Sequence, residues 1–160
     1  MNEVFDLYGT PLFAGCSREE LTPLAAVARH RDFGDGELVF AHNDEANDLM
    51  IIASGRVELE LPVFILGQAR NIPFETKGRG DAIGWSALVP PYRFTLSARV
   101  SGGADLALFP RAELTAVLES SPALGFRVMK NLAAIVGQRL TRTKAMWVRE
   151  VQRSLDERYR

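Results

Sequence analysis

Apolar positions recur along this chain at different periods, and the changes of period divide it. Leu21, Leu24, Ala25 and Ala28 stand at helical spacing behind Ser17-Arg18-Glu19-Glu20, a serine with a glutamate three places on, which is the side-chain pair of a capping box. Pro23 lies inside that run, where a proline loses a backbone hydrogen bond. Two alternatives stand: one helix carrying the proline, or a short first turn followed by a helix that Thr22 caps and Pro23 opens. Either way the text before Phe33 is a small helical lead-in. From Phe33 to about Phe109 helical periodicity gives way to short runs of Val, Ile, Leu and Phe, broken at roughly eight- to twelve-residue intervals by Gly, Pro, Asn or Asp, as in a β-sandwich or barrel. The pattern predicts strands over 37–40, 49–53, 56–61, 63–66, 72–76, 93–100 and 105–109. Asp35-Gly36 marks a tight hairpin, and Asn43 a turn where a left-handed backbone is tolerated.

Helical text returns at Pro110, which opens a short segment through Leu118, and Ser121-Pro122 reads as the cap and first-turn proline of a much longer helix. Met129, Leu132, Val136, Leu140, Thr143, Trp147, Val151 and Leu155 follow at intervals of three or four, a stripe that continues past what a small barrel can cover. Thirty-odd helical residues extend roughly 50 Å, so the far half needs a partner, most simply its own copy in a parallel dimer held by Leu132, Val136, Leu140, Trp147 and Val151. The expected organisation is a sensory unit over 1–121 and a dimerisation helix over 122–160. The fold class is mainly β with flanking α-helices, a double-stranded β-helix of jelly-roll type followed by the long helix.

Composition narrows the function. The chain has 160 residues, 47% hydrophobic and 24% charged, enough for one full core plus an appendage and too apolar for a disordered chain. The formal charge is -1, so no global field marks a general nucleic-acid binder. Cys16 is the only cysteine, which excludes an internal disulfide or a thiolate zinc cluster and fits a reducing compartment. The start carries Glu3 and Asp6 and lacks a basic, then apolar, secretory signal, and no run approaches the roughly 18 apolar residues of a span. A cytoplasmic protein with no membrane partner is expected.

Several residues together point to a family. Leu12-Phe13 and Glu20-Leu21 in the lead-in, the run from Phe33 to Phe40 around Gly34-Asp35-Gly36, and the run from Asp48 to Val57 with Ser54-Gly55 resemble, in order and spacing, the cyclic nucleotide-binding domain family, the sensory half of catabolite-activator-type regulators. The resemblance covers nearly the whole chain. It implies a phosphate-binding cassette after Gly80-Asp81, beginning Gly-Glu-x-x-Leu and reaching an Arg-x-Ala or Arg-x-Ser sequence. The corresponding text is Gly84-Trp85-Ser86-Ala87-Leu88, then Arg93-Phe94-Thr95. By resemblance Arg93 takes the phosphate-contacting position, Thr95 the small position, and amides near Ser86 and Ala87 cradle the anion. A guanidinium fork and a Gly-containing turn suit an oxyanion in any setting. The ligand expected is therefore an anionic small molecule or a nucleotide-like ligand.

The departure from the family lies at Trp85, which stands where the family glutamate accepts the ribose hydroxyls. An indole donates one hydrogen bond, accepts none and needs more room, so binding of ordinary cyclic AMP or cyclic GMP is not expected. Trp85 either fills the cavity or stacks on a planar ligand. On a pleated strand Tyr92 and Phe94 face one side and Arg93 the other. Family regulators carry a helix-turn-helix unit beyond the long helix, and the text stops where it would begin, so no DNA-reading head is expected.

Other chemistry finds little support. His30 and His42 have no second ligand at metal spacing, the serines have no histidine base, and the carboxylates of Asp44 to Asp48 read as turn formers. No enzyme activity, metal or cofactor is expected, and the Arg79-Gly80-Asp81 tripeptide reads as a turn. Residues 139–160 hold seven basic and three acidic side chains, either a solvated helix end or a docking site for an acidic protein partner or nucleic acid. The leading expectation is a non-catalytic ligand-sensing module, the alternative a degenerate domain that serves as an oligomerisation or scaffold module.

Overall fold

The computed structural model describes residues 6–159; Glu3 and Arg160, which enter the readings above, lie outside them. A one-turn helix at Pro11–Phe13 buries Leu12 and Phe13 completely. Helix α1 (Arg18–Val27) follows, and its capping box is formed in full: the Glu20 N–H donates to Ser17 Oγ at 3.2 Å and the Ser17 N–H to Glu20 Oε2 at 2.8 Å. Of the two alternatives for Pro23, the single helix is realised, with the proline inside α1. The lead-in ends sooner than its text suggests, because Arg29–Phe33 is strand β1 and only Phe33 of it is buried. A strand whose side chains are nearly all polar and outward has no alternation to read. Its pairing with a later strand, from Arg29↔Leu108 to Phe33↔Ala104, holds it in place.

Strands β2 (Leu38–Phe40), β3 (Asp48–Ile65), β4 (Gln68–Lys77), β5 (Ala82–Ile83) and β6 (Ser97–Pro110) complete one antiparallel sheet. Its order is β1-β6-β3-β4, with β2 on β6 and β5 on β3. This is the expected β-roll, its core built from residues such as Phe33, Leu49, Ile51, Val57, Ile83 and Phe109. The predicted strands 49–53, 56–61 and 63–66 are one continuous β3, and 105–109 joins the later part of 93–100 in β6. Ser54-Gly55 and Gly102-Gly103 fall between predicted strands, yet the ladder runs through them with register shifts at Ile52/Ser54 and Gly55/Arg56. Such bulges bend a strand without ending it. Gly55 has φ +83, and a Cβ there would lie 2.2 Å from the Gly103 carbonyl oxygen, so the two strands meet at this corner only without a side chain.

Helix α2 (Arg111–Ser120) leads into α3 (Pro122–Arg158), with Ser121 at the cap and Pro122 at the first position as the sequence predicts. The inner face of α3 buries Leu124, Val128 and Leu132. Two polar contacts fasten the same stretch to the lead-in: Arg127 Nη1 donates to both carboxylate oxygens of Glu20 at 2.9 and 2.7 Å, and Asn131 Nδ2 to the carbonyls of Leu12 and Ala14 at 2.9 Å. No helix among the described residues is long and apolar enough to cross a membrane.

Candidate ligand pocket

The cassette turn begins at Gly84, whose φ of 68° and ψ of 25° lie in the left-handed region. A Cβ there would come within 3.0 Å of the Asp48 carbonyl oxygen and 3.2 Å of the Phe94 ring, so glycine lets the chain turn sharply against its neighbours. A 3-10 turn, Trp85–Leu88, follows; in it the Ala87 N–H donates to the Gly84 carbonyl at 3.0 Å and the Val89 N–H to that of Ser86 at 3.2 Å. The Ala87 amide is thereby committed within the turn.

Four of the expected residues, Gly84, Trp85, Ser86 and Thr95, line one pocket, together with Phe40, Phe94 and Arg139 of α3. Its free volume is about 10 Å³, room for about one water. Phe40 and Phe94 fill it from one side, stacked with centroids 3.8 Å apart and planes 11° from parallel. Trp85 packs against the core, and the Arg139 guanidinium lies 5.8 Å from its ring centroid, within reach of the attraction between a cation and an indole face.

Arg93 and Ala87 are the expected residues that the structure does not bring to this pocket. Residues 92–94 pair with the loop before β3. The Asn43 N–H donates to the Phe94 carbonyl at 2.8 Å, the Phe94 N–H to that of Asp44 at 3.0 Å, and the Ala46 N–H to that of Tyr92 at 2.8 Å. The alternation of an extended chain then turns Phe94 inward, 5% exposed, and Arg93 outward. The Arg93 side chain, exposed to solvent, donates to the Asn43 carbonyl at 2.8 Å. Asn43 itself has φ 70, the left-handed turn its sequence suggested. Tyr92, expected on the same side as Phe94, has φ 58 and breaks the alternation; the Arg111 guanidinium lies 4.7 Å from its ring centroid.

In the sequence Arg139 is one basic residue of a basic helix end, yet its side chain is only 14% exposed. It follows Leu132 and Ile135 on the roll-facing side of α3, and that continued spacing is the signal that could have found it. Glu75 of β4 meets it: Lys77 Nζ lies 2.7 Å and Arg142 Nη1 3.1 Å from Glu75 Oε1, while Arg139 Nε stands 3.4 Å from Oε2. Burial raises the affinity of the Glu75 carboxyl for a proton, but the Lys77 hydrogen bond and the charges of Lys77, Arg139 and Arg142 outweigh it and hold the group below its ordinary 4.5. Burial pushes the Arg139 guanidinium below its ordinary value, partly countered by Glu75. Among the described residues no group of three His, Cys, Asp or Glu side chains is placed to hold a metal.

A family model of the cyclic nucleotide-binding domain matches residues 30–121. The chain belongs to the cyclic nucleotide-binding domain family. A Geobacter metallireducens GS-15 protein assigned to cyclic nucleotide binding shares 30% identity at a TM-score of 0.66, covering 81% of this chain and 91% of that one. The Thermus thermophilus catabolite activator protein shares 27% at a TM-score of 0.69, covering 84% of this chain and 60% of that one. Glutaminase 1 of Bradyrhizobium diazoefficiens is 29% identical over 141 residues, which is 87% of this chain and 21% of the glutaminase. The chain thus spans about a fifth of that enzyme's length.

In this cyclic nucleotide-binding domain the stripe expected to dimerise divides along its length. Leu132 is 2% exposed and packs against the roll, whereas Val136 is half-buried, Leu140 and Trp147 are largely exposed, and Val151 is partly so. Side chains from Thr143 to Tyr159 are exposed throughout.

Proposed function

We propose that this chain is a non-catalytic regulatory module that takes neither cyclic AMP nor cyclic GMP, its cassette pocket being filled by its own Trp85, Phe40 and Phe94, and that it works as a homodimer paired along α3. The observation that carries this reading is the free volume of about 10 Å³ beside Gly84, against the roughly 300–1,000 Å³ of pockets that take small molecules. The chemistry of the lining agrees. The indole of Trp85 cannot accept a hydroxyl proton, and Arg93 lies outside the pocket with its donor on Asn43. The scaffold reading of the cassette is therefore favoured over one in which Trp85 stacks on a planar ligand.

Pairing along α3 is supported by the isolation of its last part. Beyond Arg142 about sixteen residues project with no packing from the roll, and an isolated helix of that length is marginal in water. A second copy of α3 laid along Leu140, Trp147 and Val151 supplies the missing cover. Arg149 and Arg153, on the opposite side of the helix, remain at the surface for an acidic protein partner, through which the module passes on its state.

Native mass spectrometry of the freshly purified chain tests both halves. The expected result is a dimer mass with no nucleotide adduct. A stoichiometric cyclic nucleotide adduct overturns the closed cassette, and a monomer at micromolar concentration overturns the pairing.

A further inference from the structure

A second cavity lies on the far side of Arg139. It is a cleft of about 260 Å³ between β4, β5 and α3, lined by the charged side chains of Glu75, Lys77, Asp81, Arg139 and Arg142, with Pro11 and Ile135 among its apolar walls. Three cations face it, and the two carboxylates do not satisfy them. Asp81 accepts the Gly78 N–H at 2.9 Å and shapes its own turn. Glu75 Oε1 accepts from Lys77 at 2.7 Å and from Arg142 at 3.1 Å, leaving Arg139 to Oε2 at 3.4 Å without hydrogen-bond geometry. Glu75 Oε2 and the buried Nε and Nη2 of Arg139 have no hydrogen-bond partner among the described residues. Donors of a buried guanidinium are normally satisfied, and leaving them unpaired is costly. An oxyanion entering the cleft meets a local excess of positive charge, three cations against two carboxylates.

We propose that this cleft is a binding site for a small organic anion, a carboxylate or phosphate ester of about a dozen non-hydrogen atoms, gripped by Arg139, Arg142 and Lys77. The site is separate from the cassette pocket and stands whether or not that pocket is closed. Arg139 joins the two, since it lines both and lies over Trp85. A ligand that draws the guanidinium towards the cleft changes its position over the indole, so occupancy is transmitted to the cassette turn and along α3.

The full chain carrying Trp147→Phe leaves Trp85 as the only indole. Its fluorescence and its heat of binding are followed on titration with inorganic phosphate and with succinate, against chloride of matched ionic strength. A saturable response to either anion, absent with chloride, is expected. Response to phosphate alone assigns the phosphate esters, and response to succinate alone the carboxylates. Arg142→Gln, at an exposed position, weakens binding about tenfold or more, as loss of one charge-assisted contact does. Arg139→Lys keeps the charge but loses the fork and weakens it likewise. Silence by both readouts up to about 10 mM of either anion, or binding that neither substitution alters, overturns the proposal.

Discussion

Replacing Leu140 and Trp147 together by glutamate is the sharpest perturbation of the proposed dimer, because both project from α3 with nothing of their own protomer over them. They are 68% and 66% exposed. An aromatic side chain carries roughly 150–250 Å² and an aliphatic one somewhat less, so the pair presents about 300 Å² of apolar surface on each protomer. A symmetric contact would remove roughly 600 Å² from water, about 15 kcal/mol at 25 cal/mol per Å². Association costs about 4–15 kcal/mol before any other contact is counted, so these two side chains are enough to decide whether the copies pair. Their replacement by glutamate removes that burial and sets like charges against each other across the two-fold axis. Since neither side chain belongs to the core of the protomer, the roll should fold as before, with unchanged near-ultraviolet bands other than that of Trp147. Sedimentation equilibrium should show the parent as a dimer at micromolar concentration and the double variant as a monomer, its dissociation constant raised by at least about a hundredfold. A variant that still sediments as a dimer would move the interface off this face of the helix.

Trp85→Ala should destabilise the chain by about 2–3 kcal/mol in urea unfolding, below the range for a fully buried tryptophan because this one is only partly covered; a loss under about 0.5 kcal/mol would mean that the indole packs against nothing. Gly55→Ala should cost at least about 3 kcal/mol and reduce soluble yield, since its Cβ would meet the Gly103 carbonyl at 2.2 Å in a left-handed backbone. Glu75 is held below its ordinary 4.5 in the folded chain, so the unfolded state binds the proton more tightly there. The stability it contributes is complete above that value and drains as pH falls through the lower folded value. Unfolding midpoints measured from pH 6 to 3 should therefore drop more steeply for the parent than for Glu75→Gln, and parallel curves would show that the cluster contributes nothing.

The roll was legible in the sequence because its strands carry apolar runs bounded by glycines, and α1 and α3 because Ser17, Glu20, Ser121 and Pro122 mark their starts. What escaped is what depends on partners distant in the chain. β1 is visible only through its pairing with β6. The corner at Gly55 reads as a break between strands until Gly103 is known to lie against it. The cassette glycine and Trp85 were found by their position after Gly80-Asp81, but which residue behind them reaches the pocket is decided by the pairing of 92–94 with the loop at 43–46. That pairing turns Arg93 to solvent. Arg139 was lost for the opposite reason: a basic residue in a basic stretch reads as solvated, and only the roll-facing spacing from Leu132 through Ile135 separates it from its neighbours.

Calorimetric titration of the dialysed chain with cyclic AMP probes the proposed closure of the cassette by its own side chains. No saturable heat is expected up to about 1 mM nucleotide, at which even a binder of about 100 μM would be about nine-tenths occupied. A stoichiometric isotherm with a micromolar dissociation constant would contradict it, and would require Trp85 to leave its place beside Gly84 when the nucleotide enters.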